Sequence, residues 1–82
     1  MRIEIINHEN ELITDFEIES NPFKVGERIN VQVSNYDKEF WTTEEVRGDY
    51  IVDEIEHFLR KTYTRTQKVS TVFSVSVKVT SV

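Results

Sequence analysis

Cysteine and alanine do not occur in this chain, and leucine, glycine and proline are nearly missing. Without cysteine there can be no disulfide and no thiolate metal site, so the core must hold the fold unaided. The same absence fits a reducing, cytoplasmic setting. With only Leu12 and Leu59 beside the missing alanine, residues that are both apolar and good helix formers are scarce. Gly26 and Gly48 stand alone, which excludes a glycine-rich loop that could cradle phosphate. No apolar run reaches the ~18 residues of a membrane helix, and none resembles the apolar part of a signal peptide. The opening Met1-Arg2-Ile3-Glu4 already alternates and reads as mature structure.

What the chain has instead is β-branched residues. Valine, isoleucine and threonine number 11, 8 and 8 in 82 residues, about a third of the total. These side chains suit a pleated, half-buried surface. A length of 82 residues makes one small domain, 1–82, with room for a single core. At this size the opposing terms nearly cancel, and a net stability of roughly 3–5 kcal/mol is expected. The chain is acidic, with a net charge of −5, and that figure hides a split. Residues 1–59 hold all 15 acids and five bases, a balance of −10; residues 60–82 hold five bases and no acid. The expected reason is internal pairing of a basic C-terminal hairpin with acidic strands; the alternative is a basic edge offered to an acidic partner.

The clearest period lies at the C-terminal end. Val69, Thr71, Phe73, Val75, Val77 and Val79 alternate with Ser70, Val72, Ser74, Ser76, Lys78 and Thr80. Only an extended strand separates such residues onto two faces. Near the start, Ile3 and Ile5, then Leu12, Thr14, Phe16 and Ile18, read as two strands around the polar Asn7–Glu11 connection. The second strand carries a comb of Asp15, Glu17 and Glu19, which discourages edge-to-edge pairing. Ser20-Asn21-Pro22 ends this unit. Ile29, Val31 and Val33 then alternate with Asn30, Gln32 and Ser34. The lead-in Phe23-Lys24-Val25-Gly26-Glu27 resembles the entry to a strand in small barrels of the SH3-like and PUA-like kinds; the likeness spans about ten residues, implies a barrel and carries no site.

From Asn35 to Asp49 the pattern is lost, and Thr42-Thr43-Glu44-Glu45 has the spacing of a capping box, so one helical turn is expected there. Residues 50–63 admit two readings. On a helical wheel Ile51, Val52, Ile55, Phe58, Leu59 and Tyr63 share one arc. As a strand the stretch needs a bulge near Asp53-Glu54. Composition and context favour the strand, turning near Arg65-Thr66-Gln67 into the last one. The expected fold is therefore mainly β: a small five-stranded antiparallel, partly open barrel of SH3-like kind. The alternative is a four-stranded antiparallel sheet with one helix at 49–61. Phe16, Ile29, Val31, Phe73, Val75 and Val77 are expected in the core.

No chemistry stands out. His8 and His57, with Glu54 and Glu56 near the latter, match no metal cage. Ser70, Ser74 and Ser76 lie on the outer face of a strand, not on a strained turn, so no nucleophile is indicated. No catalytic residue, cofactor or metal is expected. The leading function is a non-catalytic binding module that acts through protein–protein contacts, as a monomer or weak homo-oligomer. Its candidate surface is Tyr36, Phe40 and Trp41 in the long connection, with Arg60, Lys61, Tyr63, Arg65 and Lys68 on the last hairpin. Those bases and Tyr63 make nucleic acid the runner-up partner. The charge of −10 on residues 1–59 opposes it, because most approaches would repel a phosphate backbone.

Overall fold

The computed structural model describes residues 1–35, 43–66 and 68–82. Five strands form one sheet: β1 Arg2–Ile6, β2 Leu12–Glu17, β3 Arg28–Asn35, β4 Thr43–Tyr63 and β5 Val69–Ser81. Their spatial order is β2-β1-β5-β4-β3. The fold is mainly β, as composition and period indicate, and no helix occurs among the described residues. The first hairpin closes through Asn7, whose side-chain oxygen accepts from the backbone N–H of both Glu9 and Glu11 at 2.9 Å. Asn10 takes the left-handed conformation there, with φ of 62°, which asparagine tolerates better than most residues.

Two features differ from the all-antiparallel barrel. β1 pairs with β5 in parallel, Ile3 beside Val75 and Ile5 beside Val77, so the sheet is mixed. It is also open, with β2 and β3 as its two edges. Alternation reports which residues share a face, but not the direction in which a neighbouring strand runs. The long connection is shorter than the lost pattern suggests. β3 runs on to Asn35 and β4 begins at Thr43, so residues 43–45 are strand where a helical turn is expected. Strand pairing with β3 overrides the local capping signal.

β4 settles the ambiguous stretch as strand, and the register explains why it mimics a helix. A bulge lies between Val52 and Glu54, where the sequence requires one. The extra residue, Asp53, brings Val52 and Ile55 onto one face at a spacing of three, which a helical wheel also satisfies. Further along, Phe58 pairs with Ser74 and Leu59 with Phe73. They lie on opposite faces of a ribbon exposed on both, so strict alternation is not enforced.

The core lies on one face. Ile3, Ile5, Val31, Val52, Val75, Val77 and Val79 are all buried. Phe16, Phe23, Ile29, Val33, Tyr50 and Ile55 pack against them, partly covered. The sheet curls over this face, so that Ile5 and Phe16 at one end share a hollow with Ile29 and Val31 at the other. Phe23 closes the gap edge-to-face against Phe16, centroids 6.1 Å apart. Gly26, at φ of 90°, turns the chain so that its N–H reaches the Val52 carbonyl at 2.7 Å. Phe73 departs from the expected core: it is 56 % exposed. No helix among the described residues is long and apolar enough to cross a membrane.

Candidate interaction surface

β4 and β5 are longer than their neighbours. β1 pairs with β5 only over Ser74–Lys78, and β3 pairs with β4 only as far as Ile51. Beyond those limits Leu59–Tyr63 and Val69–Phe73 are paired only with each other among the described residues. The result is a two-stranded arm that leaves the core. Its turn is closed by the Thr64 N–H donating to the Lys68 carbonyl at 3.0 Å, with a Thr64–Thr66 hydroxyl bond of 3.0 Å beside it.

The arm carries apolar side chains on both faces. Leu59, Tyr63, Val69 and Phe73 share the face that continues the core; Phe58 and Val72 share the other. Their exposures run from 46 % for Phe58 to 67 % for Tyr63. A bare two-stranded ribbon is marginal in water, and apolar surface of this extent is uncommon on a protein that works alone. On the Phe58–Val72 side a groove of about 750 Å³ runs between the arm and the start of β1, bounded by Arg2, Glu4, Arg60 and Ser74.

Of the expected surface residues, Arg60, Lys61, Tyr63, Arg65 and Lys68 come together on this arm, all exposed. Lys61 lies over the Tyr63 ring, 5.4 Å from its centroid. Tyr36, Phe40 and Trp41 lie outside the described residues. Among the described residues the internal charge pairing does not reach the arm. Three acids of the body are matched within it: Arg2 meets Asp15 at 2.6 Å and Glu4 at 3.1 Å, and Arg28 meets Asp49 at 3.5 Å. Among the described residues none of Arg60, Lys61, Arg65 or Lys68 makes an ion pair. The arm holds them away from the described acidic strands, whereas Lys78, nearer the core, faces an acid, Glu54, at 4.0 Å.

The sequence reading missed the apolar part of the surface, Phe58, Leu59, Val69, Val72 and Phe73. The signal was present in the unequal lengths of the strand patterns: five residues of β1 cannot cover thirteen of β5. It also missed a polar cluster. His8, on the first hairpin, places Nε2 2.6 Å from Asp53 Oδ2 and 2.9 Å from Thr80 Oγ1. The Thr80 hydroxyl donates a short hydrogen bond to the same carboxylate oxygen. That bond, and next the one to His8, hold the Asp53 carboxyl below the usual carboxylate range. One ring nitrogen serves both partners, so the arrangement is not a relay from carboxylate through imidazole to hydroxyl. It clamps the bulge of β4 to β5 and the first turn. His57 lies elsewhere, opposite Val75. Among the described residues no three histidines and carboxylates converge as a metal site.

The chain matches no family model, no curated protein and no solved structure. The functional reading therefore rests on the arm and its surroundings.

Proposed function

We propose that this chain is a small non-catalytic interaction module acting through protein–protein contacts, with the β4–β5 arm as its contact element. The observation that supports this is the apolar ribbon itself. Five large apolar or aromatic side chains, Leu59, Tyr63, Val69, Val72 and Phe73, stand 49–67 % exposed beyond the last supporting strand, and Phe58 at its limit is 46 % exposed. Covering them is favourable at about 25 cal/mol per Å², and extended edges recruit partners by strand addition. An SH3-like kinship belongs to the same proposal and rests on the Phe23–Glu27 lead-in alone.

A second reading is favoured by cations that make no ion pair among the described residues. Arg60, Lys61, Arg65 and Lys68 beside Tyr63 suit a single-stranded nucleic acid, with bases stacking on the ring. The acidic body next to the arm works against it.

Capture from a native cell extract separates the two. The wild-type chain and a Leu59→Ser/Phe73→Ser variant are compared with and without nuclease. Protein bands that survive nuclease and vanish with the variant support the protein-contact reading. Wild-type binding to mixed single strands at ~1 μM or tighter in ~0.15 M salt, weakening steeply with added salt, would replace it with the second.

A further inference from the structure

The longer open edge of the arm belongs to β4. β3 accompanies β4 as far as Ile51, and Gly26 and Glu27 bond to Val52. From Glu54 to Tyr63 the outer side of β4 pairs with no strand among the described residues. The β5 edge is shorter, because β1 already lies beside Ser74. The Thr64 N–H points across the arm to the Lys68 carbonyl. Strand alternation therefore turns the backbone N–H and C=O groups of Tyr63, Lys61, Leu59, His57 and Ile55 outward, away from β5. None of these backbone groups has a hydrogen-bond partner among the described residues.

The side chains along this edge are graded. Glu54 and Glu56 stand at the core end, Phe58 and Leu59 in the middle, and Arg60 and Lys61 towards the turn. Residues 60–68 hold four bases and no acid, and none of the four makes an ion pair among the described residues. Charges on an edge deter indiscriminate pairing, and the same charges select a strand of complementary order. We propose that this edge takes up an extended acidic segment of a partner protein, added antiparallel to β4 as a further strand of the sheet. This rests on the reading of the arm as a protein-contact element and names the chemistry of its partner.

Residues directly opposite in an antiparallel pair share a face. The partner therefore needs acids opposite Lys61 and Arg60, one on each face, and apolar residues opposite Leu59 and Phe58. Because the two strands run in opposite directions, the acids precede the apolar pair in the partner's sequence. Acids placed opposite Glu54 or Glu56 would be repelled, which fixes the register. A single-stranded nucleic acid would meet the same cations but leave the backbone groups of the edge without a ladder.

The contact is a single edge strand, so binding is weak, with a dissociation constant on the order of 10–100 μM. The probe is the peptide Val-Thr-Glu-Glu-Val-Ile-Thr-Thr-Val, whose two glutamates fall opposite Lys61 and Arg60 when its first residue faces Tyr63. Titrated into the isotope-labelled full chain, it should shift the amide resonances of Ile55–Tyr63. Arg60→Glu/Lys61→Glu should weaken it roughly tenfold or more while remaining folded, because both side chains are exposed. The same peptide with lysines in place of its glutamates should bind that variant with the affinity of the original pair. N-methylation separates strand addition from charge attraction alone. On the third and fifth peptide residues, whose N–H groups face β4, it should abolish binding; on the fourth and sixth, whose N–H groups face away, it should not. Three outcomes overturn the proposal. No shift at ~1 mM peptide, well above that constant, removes an acidic strand as the partner. If the chain still captures nuclease-resistant protein through Leu59 and Phe73, only the partner's chemistry is wrong. If it binds single strands instead, the protein-contact reading falls with it. Equal binding of the two N-methylated peptides rejects strand addition, and a charge swap that rescues nothing rejects this register.

Discussion

Val75 and Phe73 are two residues apart on the same face of β5, yet Val75 is 1 % exposed and Phe73 is 56 % exposed. The difference is the strand beside them. Val75 has Ile3 of β1 next to it and the curled sheet above; Phe73 lies past the end of β1. Val75→Ala should therefore cost about 2–3 kcal/mol through lost burial and a residual cavity. Phe73→Ser should leave the monomer's denaturation midpoint within about 0.5 kcal/mol of wild type. Chemical denaturation of both variants at low protein concentration is the measurement. Equal losses would mean that the arm folds onto the core.

Asp53 carries a second residue-scale prediction. The Thr80 hydroxyl, and next His8, hold its carboxyl below the ordinary value of 3.8; Asn30 does the same for Asp49, helped by Arg28. Each group binds its proton less readily in the folded chain than in the unfolded one. Its contribution is therefore fully present above the unfolded value and is lost as pH falls through the lower folded value. The denaturation midpoint of the wild type should fall on acidification below pH 3.8. Asp53→Asn cannot titrate and should show a shallower fall; an acid limb identical to wild type would mean that the clamp does not act on stability.

At the scale of elements, the β4–β5 hairpin has two halves with different support. Val52–Phe58 and Ser74–Val79 carry the core, with β1 alongside β5 and the loop at Gly26 and Glu27 bonded to Val52. Among the described residues the arm has only its own ladder and its turn. Local opening requires less where few apolar contacts are lost. Amide hydrogens of Leu59–Tyr63 and Val69–Phe73 should exchange markedly faster in the monomer than those of Val75–Val79. Hydrogen-exchange NMR in dilute protein is the measurement. Uniform protection along β5 in dilute protein would make the arm part of the core unit.

For the whole molecule, the radius of gyration is 15.9 Å, against about 12 Å for a compact domain of this length. A small core with a ribbon projecting from it produces that excess. It also separates the charges: the acidic body is neutralised in part by Arg2 and Arg28, while the arm's cations make no ion pair among the described residues. Arg65→Glu/Lys68→Glu should consequently change the stability of the monomer by no more than a few tenths of a kcal/mol at ~0.15 M salt. A loss near 1 kcal/mol in thermal or denaturant unfolding would restore the internal pairing that the sequence suggests.

The sequence by itself determined the strands. Period two in Val69–Val79 and in Ile29–Val33, the scarcity of helix formers and the polar Asn7–Glu11 turn place most of the elements correctly. They even locate the bulge at Asp53, because these features act between near neighbours along the chain. Only the tertiary structure decided that β1 lies parallel to β5, that the sheet stays open, and that Phe73 is exposed although it shares the period of Val75. The candidate surface divides in the same way. The bases and Tyr63 were visible as a charge block, while Phe73 read as core and Val72 as part of the outer face. Periodicity records that a residue faces one side of a strand; whether anything covers that side depends on where a strand distant in sequence ends, here at Arg2.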